Sequence, residues 1–132
     1  MTDTLKIALA QLNPVVGDIP GNVEKLREAR ARAAETGADL VVTSELVVCG
    51  YPPEDLVFRP IVSETVEREI EALAAETADG GPAMLVGAPL REDGKLYNAA
   101  MLLDGGKIVA VRFKHDLPNY GVFDEKRVFN AG

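Results

Sequence analysis

Glu45 closes the apolar run Leu40–Glu45 (LVVTSE), so it stands where a strand hands over to a loop. In open α/β sheets, sites form beyond the carboxyl ends of the strands. A glutamate held there, partly out of water, can act as a general base near neutral pH. A solvated carboxylate at a strand exit fits the same position. Lys114 follows Phe113 at the end of another apolar run, where a fixed ammonium could hold a developing oxyanion. A lysine that merely snorkels at a strand end is the plain alternative. Glu125 lies between two phenylalanines in the stretch 123–129 (FDEKRVF), either tucked beside a site or part of a charged loop. Cys49 and His115 are the only thiol and the only imidazole, which raises a thiol–imidazole pair as a further reading. Cys49 follows Val47 and Val48 and reads better as a small buried hydrophobe. One cysteine and one histidine make no metal-ligand cluster. Gly80-Gly81 and Gly105-Gly106 lack the spacing and the following Lys-Ser/Thr of a phosphate loop.

These residues need a scaffold, and the hydrophobic pattern supplies one. Leu5–Leu12 reads as a buried strand ended by Asn13-Pro14. Val23, Leu26, Ala29 and Ala33 recur at helical spacing, with Asn22 as the expected N-cap and Gly37 at the C-terminal end. Leu40–Glu45 is the second strand. A helix follows Ser63, with Val66, Ile70, Leu73 and Ala74 on one face, and stops at Asp79-Gly80-Gly81-Pro82. Ala83–Leu90 is the third strand, and 96–103 and 107–113 flank a turn at Asp104-Gly105-Gly106 as a hairpin. The order β-α-β-α-β-hairpin predicts an α/β layered domain with a mixed sheet and packed helices. Residues 114–132 read as polar and turn-rich, with no helix or strand to close them.

At 132 residues the chain is one domain at most. Fourteen Lys and Arg face 21 Asp and Glu, a net charge of −7 that opposes binding to nucleic acid or to an anionic membrane. No apolar stretch is long enough to span a bilayer, and no secretory leader pattern opens the chain. A single cysteine excludes an internal disulfide, and a cytoplasmic location is the simplest expectation.

Taken together and in order, several blocks resemble the nitrilase, or carbon-nitrogen hydrolase, superfamily. They are residues 5–13 (LKIALAQLN), Ser44-Glu45-Leu46, residues 50–56 (GYPPEDL), residues 114–120 (KHDLPNY) and residues 123–127 (FDEKR). Residues 50–56 and 114–127 look most like the glutaminase domains of glutamine-dependent NAD synthetases. The resemblance covers the whole chain. It implies the N-terminal portion of a nitrilase-type α-β-β-α sandwich, with residues 1–132 an incomplete domain. It further implies a Glu-Lys-Cys triad, in which Glu45 matches the general base, Lys114 the oxyanion lysine and Glu125 a supporting carboxylate. Tyr51, Tyr120 and Phe123 match residues that line a glutamine pocket. Cys49 does not match the family's cysteine, which is expected after residue 132, so residues 1–132 alone are expected to be inactive. No cofactor is expected in this segment. ATP and Mg, a C-terminal synthetase domain as partner, glutamine as substrate and a homo-oligomer are expected of the complete enzyme. Another small-amide hydrolase and a non-catalytic interaction module are the rival readings.

Overall fold

Val23, Leu26, Arg30 and Ala33 make one buried stripe along the first helix, and Val66, Ile70, Leu73 and Ala74 make another along the second. The computed structural model describes residues 3–132 and arranges these helices against one sheet. The elements are β1 (Ile7–Leu9), α1 (Ile19–Glu35), β2 (Leu40–Val42), α2 (Pro60–Glu76), β3 (Ala83–Glu92), β4 (Lys95–Asp104), β5 (Lys107–Phe113) and α3 (Glu125–Val128). Short 3₁₀ turns at Glu54–Phe58 and Thr77–Asp79 lead into and out of α2.

The sheet has five strands in the order β1-β2-β3-β4-β5, parallel for the first two pairings and antiparallel for the last two. Both crossovers step the same way across the sheet. Crossovers of one hand therefore place α1 and α2 on the same face. Val41, Met84, Val86, Ala88, Ala99, Met101 and Leu103 point at the helices and form the core. The alternate residues, among them Ile7, Leu9, Leu85, Gly87, Asn98, Ala100 and Arg112, share the opposite face through the strand register. Ile7 and Leu9 are exposed there.

Several boundaries differ from the sequence reading. Helix α1 begins at Ile19 rather than after Asn22, because Pro20 is tolerated in a first turn and Asp18 caps it by accepting from Gly21 N at 3.1 Å. Asn22 is instead a buried staple. Its side chain donates to Val15 O at 2.8 Å and Val48 O at 3.0 Å, and accepts from Val15 N at 2.8 Å. Strand β1 is shorter than Leu5–Leu12, and β2 stops at Val42, three residues before Glu45. Helix α2 begins at Pro60, ahead of Ser63, with its proline in the first turn. The third strand runs on to Glu92 and turns at Asp93-Gly94, both at positive φ (51° and 75°), the two-residue geometry of a tight hairpin. The last three strands are thus a meander. The tail is also better ordered than its polarity suggests. It carries α3, buries Phe129, and returns to the sheet through Asn130 N to Leu96 O at 2.7 Å and Gly132 N to Lys114 O at 3.0 Å.

Candidate active site

Past Val42 the chain stays against β3 at Thr43, whose N and hydroxyl both donate to Leu85 O, at 3.1 Å and 2.9 Å, and then folds over β3. Val47 N donates to Ser44 O, Gly50 N to Leu46 O, and Val48 N to Gly87 O. Glu45 therefore sits on a turn over the carboxyl end of the sheet and not in the strand itself. Leu46, beside it, is fully buried in the left-handed region at φ 52°. A branched residue there is strained and persists only where its surroundings over-determine it.

Strand β5 delivers Lys114 to the same spot, with Lys114 N donating to Asn98 O at 2.8 Å. The Lys114 ammonium donates to Glu45 Oε1 at 2.6 Å. Asn98 Nδ2 donates to the same oxygen at 2.7 Å. On the other side Lys114 donates to Glu125 Oε1 at 3.2 Å and lies 3.0 Å from Oε2. That second contact is off the hydrogen-bonding direction, so Glu125 Oε2 is buried with an ionic neighbour but no hydrogen bond. The Glu125 side chain is 5% exposed, that of Lys114 31% and that of Glu45 45%. One ammonium thus bridges a buried and a half-exposed carboxylate. Partial burial works against its charge, but the two carboxylates outweigh burial and raise its pKa.

Glu45, Lys114 and Asn98 border an open cavity of about 370 Å³ on the helix-free face, together with Gly87, Ala100 and Arg112. Tyr51 donates its hydroxyl to Glu125 Oε1 at 2.9 Å, and burial, then Glu125, push its phenol up to about 12. Its ring lies 6.5 Å from that of Phe123, which meets Tyr120 edge-on at 5.8 Å. Tyr51 and Tyr120 line two hollows other than the Glu45–Lys114 cavity.

Cys49 is apart from this cluster. It is buried, its sulfur lies near Leu46 O and Gly50 O, and burial pushes the thiol up to about 12. At neutral pH the thiolate is then about one part in 10⁵. His115 sets its Nδ1 2.7 Å from Gly132 O. Native protein is expected to resist a thiol-alkylating reagent near neutral pH and to label at Cys49 only once unfolded in urea. Rapid labelling of folded protein would return the thiol enzyme to contention.

The sequence reading missed Asn98. The signal was available: a lone amide inside the apolar strand LYNAAMLL must find partners when buried, and it is 4% exposed. Among the described residues no group of three or more His, Cys, Asp or Glu could hold a metal ion, and no helix is long and apolar enough to cross a membrane.

The profile of the carbon-nitrogen hydrolases matches residues 6–132. The chain belongs to the carbon-nitrogen hydrolase family. Among members of known function it resembles the glutamine-dependent NAD(+) synthetase of Rhodobacter capsulatus, 42% identical over 132 residues, which are all of this chain and 24% of that protein. The structure of the Acinetobacter baumannii glutamine-dependent NAD+ synthetase in complex with ADP superposes with a TM-score of 0.91 at 40% identity, covering 97% of this chain and 24% of that one. An amidase from Nesterenkonia sp. superposes with a TM-score of 0.84 at 32% identity, covering 97% of this chain and 48% of that one. The α/β architecture is therefore the nitrilase type. The chain spans about a quarter of the synthetases and about half of the amidase.

Proposed function

We propose that this chain forms the glutamine-hydrolysing side of a glutamine-dependent NAD(+) synthetase, with the nucleophilic thiol supplied from outside residues 1–132. The observation that carries this reading is the 2.6 Å pairing of Glu45 with Lys114, two residues 69 apart in sequence, at the carboxyl end of the sheet. A thiol is mostly protonated at neutral pH and needs a base to attack a side-chain amide. Glu45, half-exposed to the cavity and fixed by Asn98, is placed to take that proton and to return it to departing ammonia. Lys114, held as a cation by two carboxylates, is placed to stabilise the oxyanion of the tetrahedral intermediate. Water then cleaves the thioester, with Glu45 again accepting the proton. Glu125 keeps the ammonium aimed, while Tyr51, Tyr120 and Phe123 form one aromatic group beside the cavity rather than in its lining, and their assignment to glutamine rests on the family resemblance. Ammonia passes to a separate synthetase domain, which would use ATP and Mg.

A second reading, hydrolysis of another small amide, is favoured by the likeness to the Nesterenkonia amidase. A variant of that amidase carries the acetamide moiety of fluoroacetamide covalently at its active-site cysteine.

A chimera separates the two. Residues 1–132 replace the matching stretch of the Rhodobacter capsulatus synthetase, and glutamate release from glutamine is compared with ammonia release from simple aliphatic amides. Glutamine turnover is expected, and Glu45→Gln or Lys114→Ala should each lower kcat roughly a hundredfold or more. Turnover that survives both substitutions contradicts the assignment, and turnover confined to simple amides selects the second reading.

A further inference from the structure

Arg127 takes no part in the chemistry above, yet its guanidinium spans two segments that border the site. Nε donates to Asp124 Oδ2 at 2.7 Å, Nη1 to Asp55 Oδ1 at 2.5 Å and Nη2 to Glu54 Oε2 at 3.5 Å. One partner is on its own segment, and two are on the loop that carries Tyr51. All three nitrogens of the fork are engaged, a geometry that a point charge cannot reproduce. The carboxylates around it raise its pKa, with Asp55 first among them.

We propose that Arg127 is a positioning residue that clamps the Tyr51–Phe58 loop to α3, and through the Tyr51–Glu125 hydrogen bond fixes the carboxylate that steers Lys114.

The links are all short. Arg127 follows Glu125 by two residues in α3. Asp55 follows Tyr51 by four, and Tyr51 donates to Glu125 Oε1, the same oxygen that accepts from Lys114. Closing the seam between loop and helix therefore sets where Glu125 stands, and Glu125 sets where Lys114 points. Two features show why the seam needs a cation. Glu54, Asp55 and Asp124 are three carboxylates gathered around one guanidinium, and without it they repel across the joint. Glu54 also holds a left-handed backbone at φ 53°, a strained state that must be compensated by a partner. Isolated exposed ion pairs contribute little. Here the arginine turns mutual repulsion into attachment, and that difference is what its removal exposes.

The proposal rests on the reading of Lys114 as a site residue, and its test needs no turnover. Folded protein is treated with trinitrobenzenesulfonate at mildly alkaline pH, and modification of Lys114 is followed by peptide mapping, with Lys25 and Lys95 as internal standards. In Arg127→Gln, Glu125 drifts from Lys114, the amine loses part of its carboxylate support, its pKa falls and its labelling should accelerate roughly three- to tenfold. Tyr51→Phe should give a similar gain, and the double variant no more than either alone, because both break one chain of contacts. Exchanging the charges, Arg127→Asp with Asp55→Arg, should bring Lys114 back towards its original rate. If Arg127→Gln does not fold, Asp55→Asn, on the exposed loop side, reads the same seam and should move Lys114 in the same direction. Unchanged Lys114 labelling in a folded clamp variant overturns the proposal, and so do gains that add in the double variant. A chimera that fails to hydrolyse glutamine would leave the clamp standing, and an unmoved Lys114 would leave the hydrolysis reading standing.

Discussion

Gly87→Ala is expected to destabilise the protein by about 3 kcal/mol and to lift Glu45 out of its place. A Cβ on Gly87 would lie 2.6 Å from Leu46 N, 2.7 Å from Ser44 O and 3.2 Å from the Glu45 carbonyl carbon. All three are backbone atoms, so no flexible side chain can swing aside. The turn cannot retreat cheaply either. Leu46, Val47 and Val48 are buried in the core beneath it, and Val48 N is bound to Gly87 O at 3.2 Å. Accommodating the methyl requires the turn to rise by the better part of an ångström, which stretches that hydrogen bond and unseats Leu46. Displacements on that scale cost on the order of a hundredfold in rate where a reacting group must be aligned. Urea unfolding of the chain reads the stability, and glutamine turnover in the chimera reads the displacement. A Gly87→Ala variant with the parental unfolding midpoint would show that the turn is looser than its contacts indicate.

Gly87 also marks where sequence reasoning stops. Alternating and helical periodicities report burial on a regular element, so both long helices, the three main strands and the glycine hairpin could be placed from them. Lys114 was legible as a strand-end residue because its strand is an apolar run that stops at a charge, and the same reading brought Glu45 close to its place although its strand ends at Val42. Their meeting was not, since nothing local says that the chain turns over β3 rather than away from it. That depends on Gly87, 42 residues downstream of Glu45, having no side chain. The N-cap was misplaced for a similar reason. Asn22 has the right chemistry for a cap, but its amide is drawn to Val15 and Val48 by a fold that only long-range packing creates. Asn98 was overlooked inside an apolar strand because periodicity weighs a polar residue only as an interruption. The tail looked unstructured because most of its residues are charged or turn-forming, whereas its order comes from Phe129 in the core and from the Asn130 contacts with Leu96. The family blocks supplied the convergence of Glu45, Lys114 and Glu125 that spacing could not.

Lys114→Met is expected to cost about 2 kcal/mol of stability near neutral pH, between the cost of losing an exposed ion pair and that of breaking a fully buried one, because the ammonium is partly solvated. The methionine keeps most of the stem and its packing, so the loss is electrostatic. It leaves the nearly buried Glu125 facing Tyr51 with no counter-charge. The pH dependence gives the cause. The folded pKa of Lys114 is raised above its ordinary 10.5, so the folded state holds its proton more tightly than the unfolded state. The stabilisation is therefore complete below about 10.5 and is lost as pH climbs through the raised value. The gap between the parent and the Lys114→Met variant should stay constant from neutral pH to about 10.5 and close above it, because the parent then also faces Glu125 with a neutral amine. Glu45→Gln makes the contrast. Glu45 is half-exposed and keeps a polar partner in Asn98, so its loss should cost under about 1 kcal/mol while abolishing base catalysis in the chimera. On the proposed roles, stability and function separate across one ammonium, with Glu125 the anchor and Glu45 the working group. Denaturant titrations of the parent and the two variants across that pH range decide the matter. A gap that widens above 10.5, or a Glu45→Gln variant as unstable as Lys114→Met, would reverse the two roles.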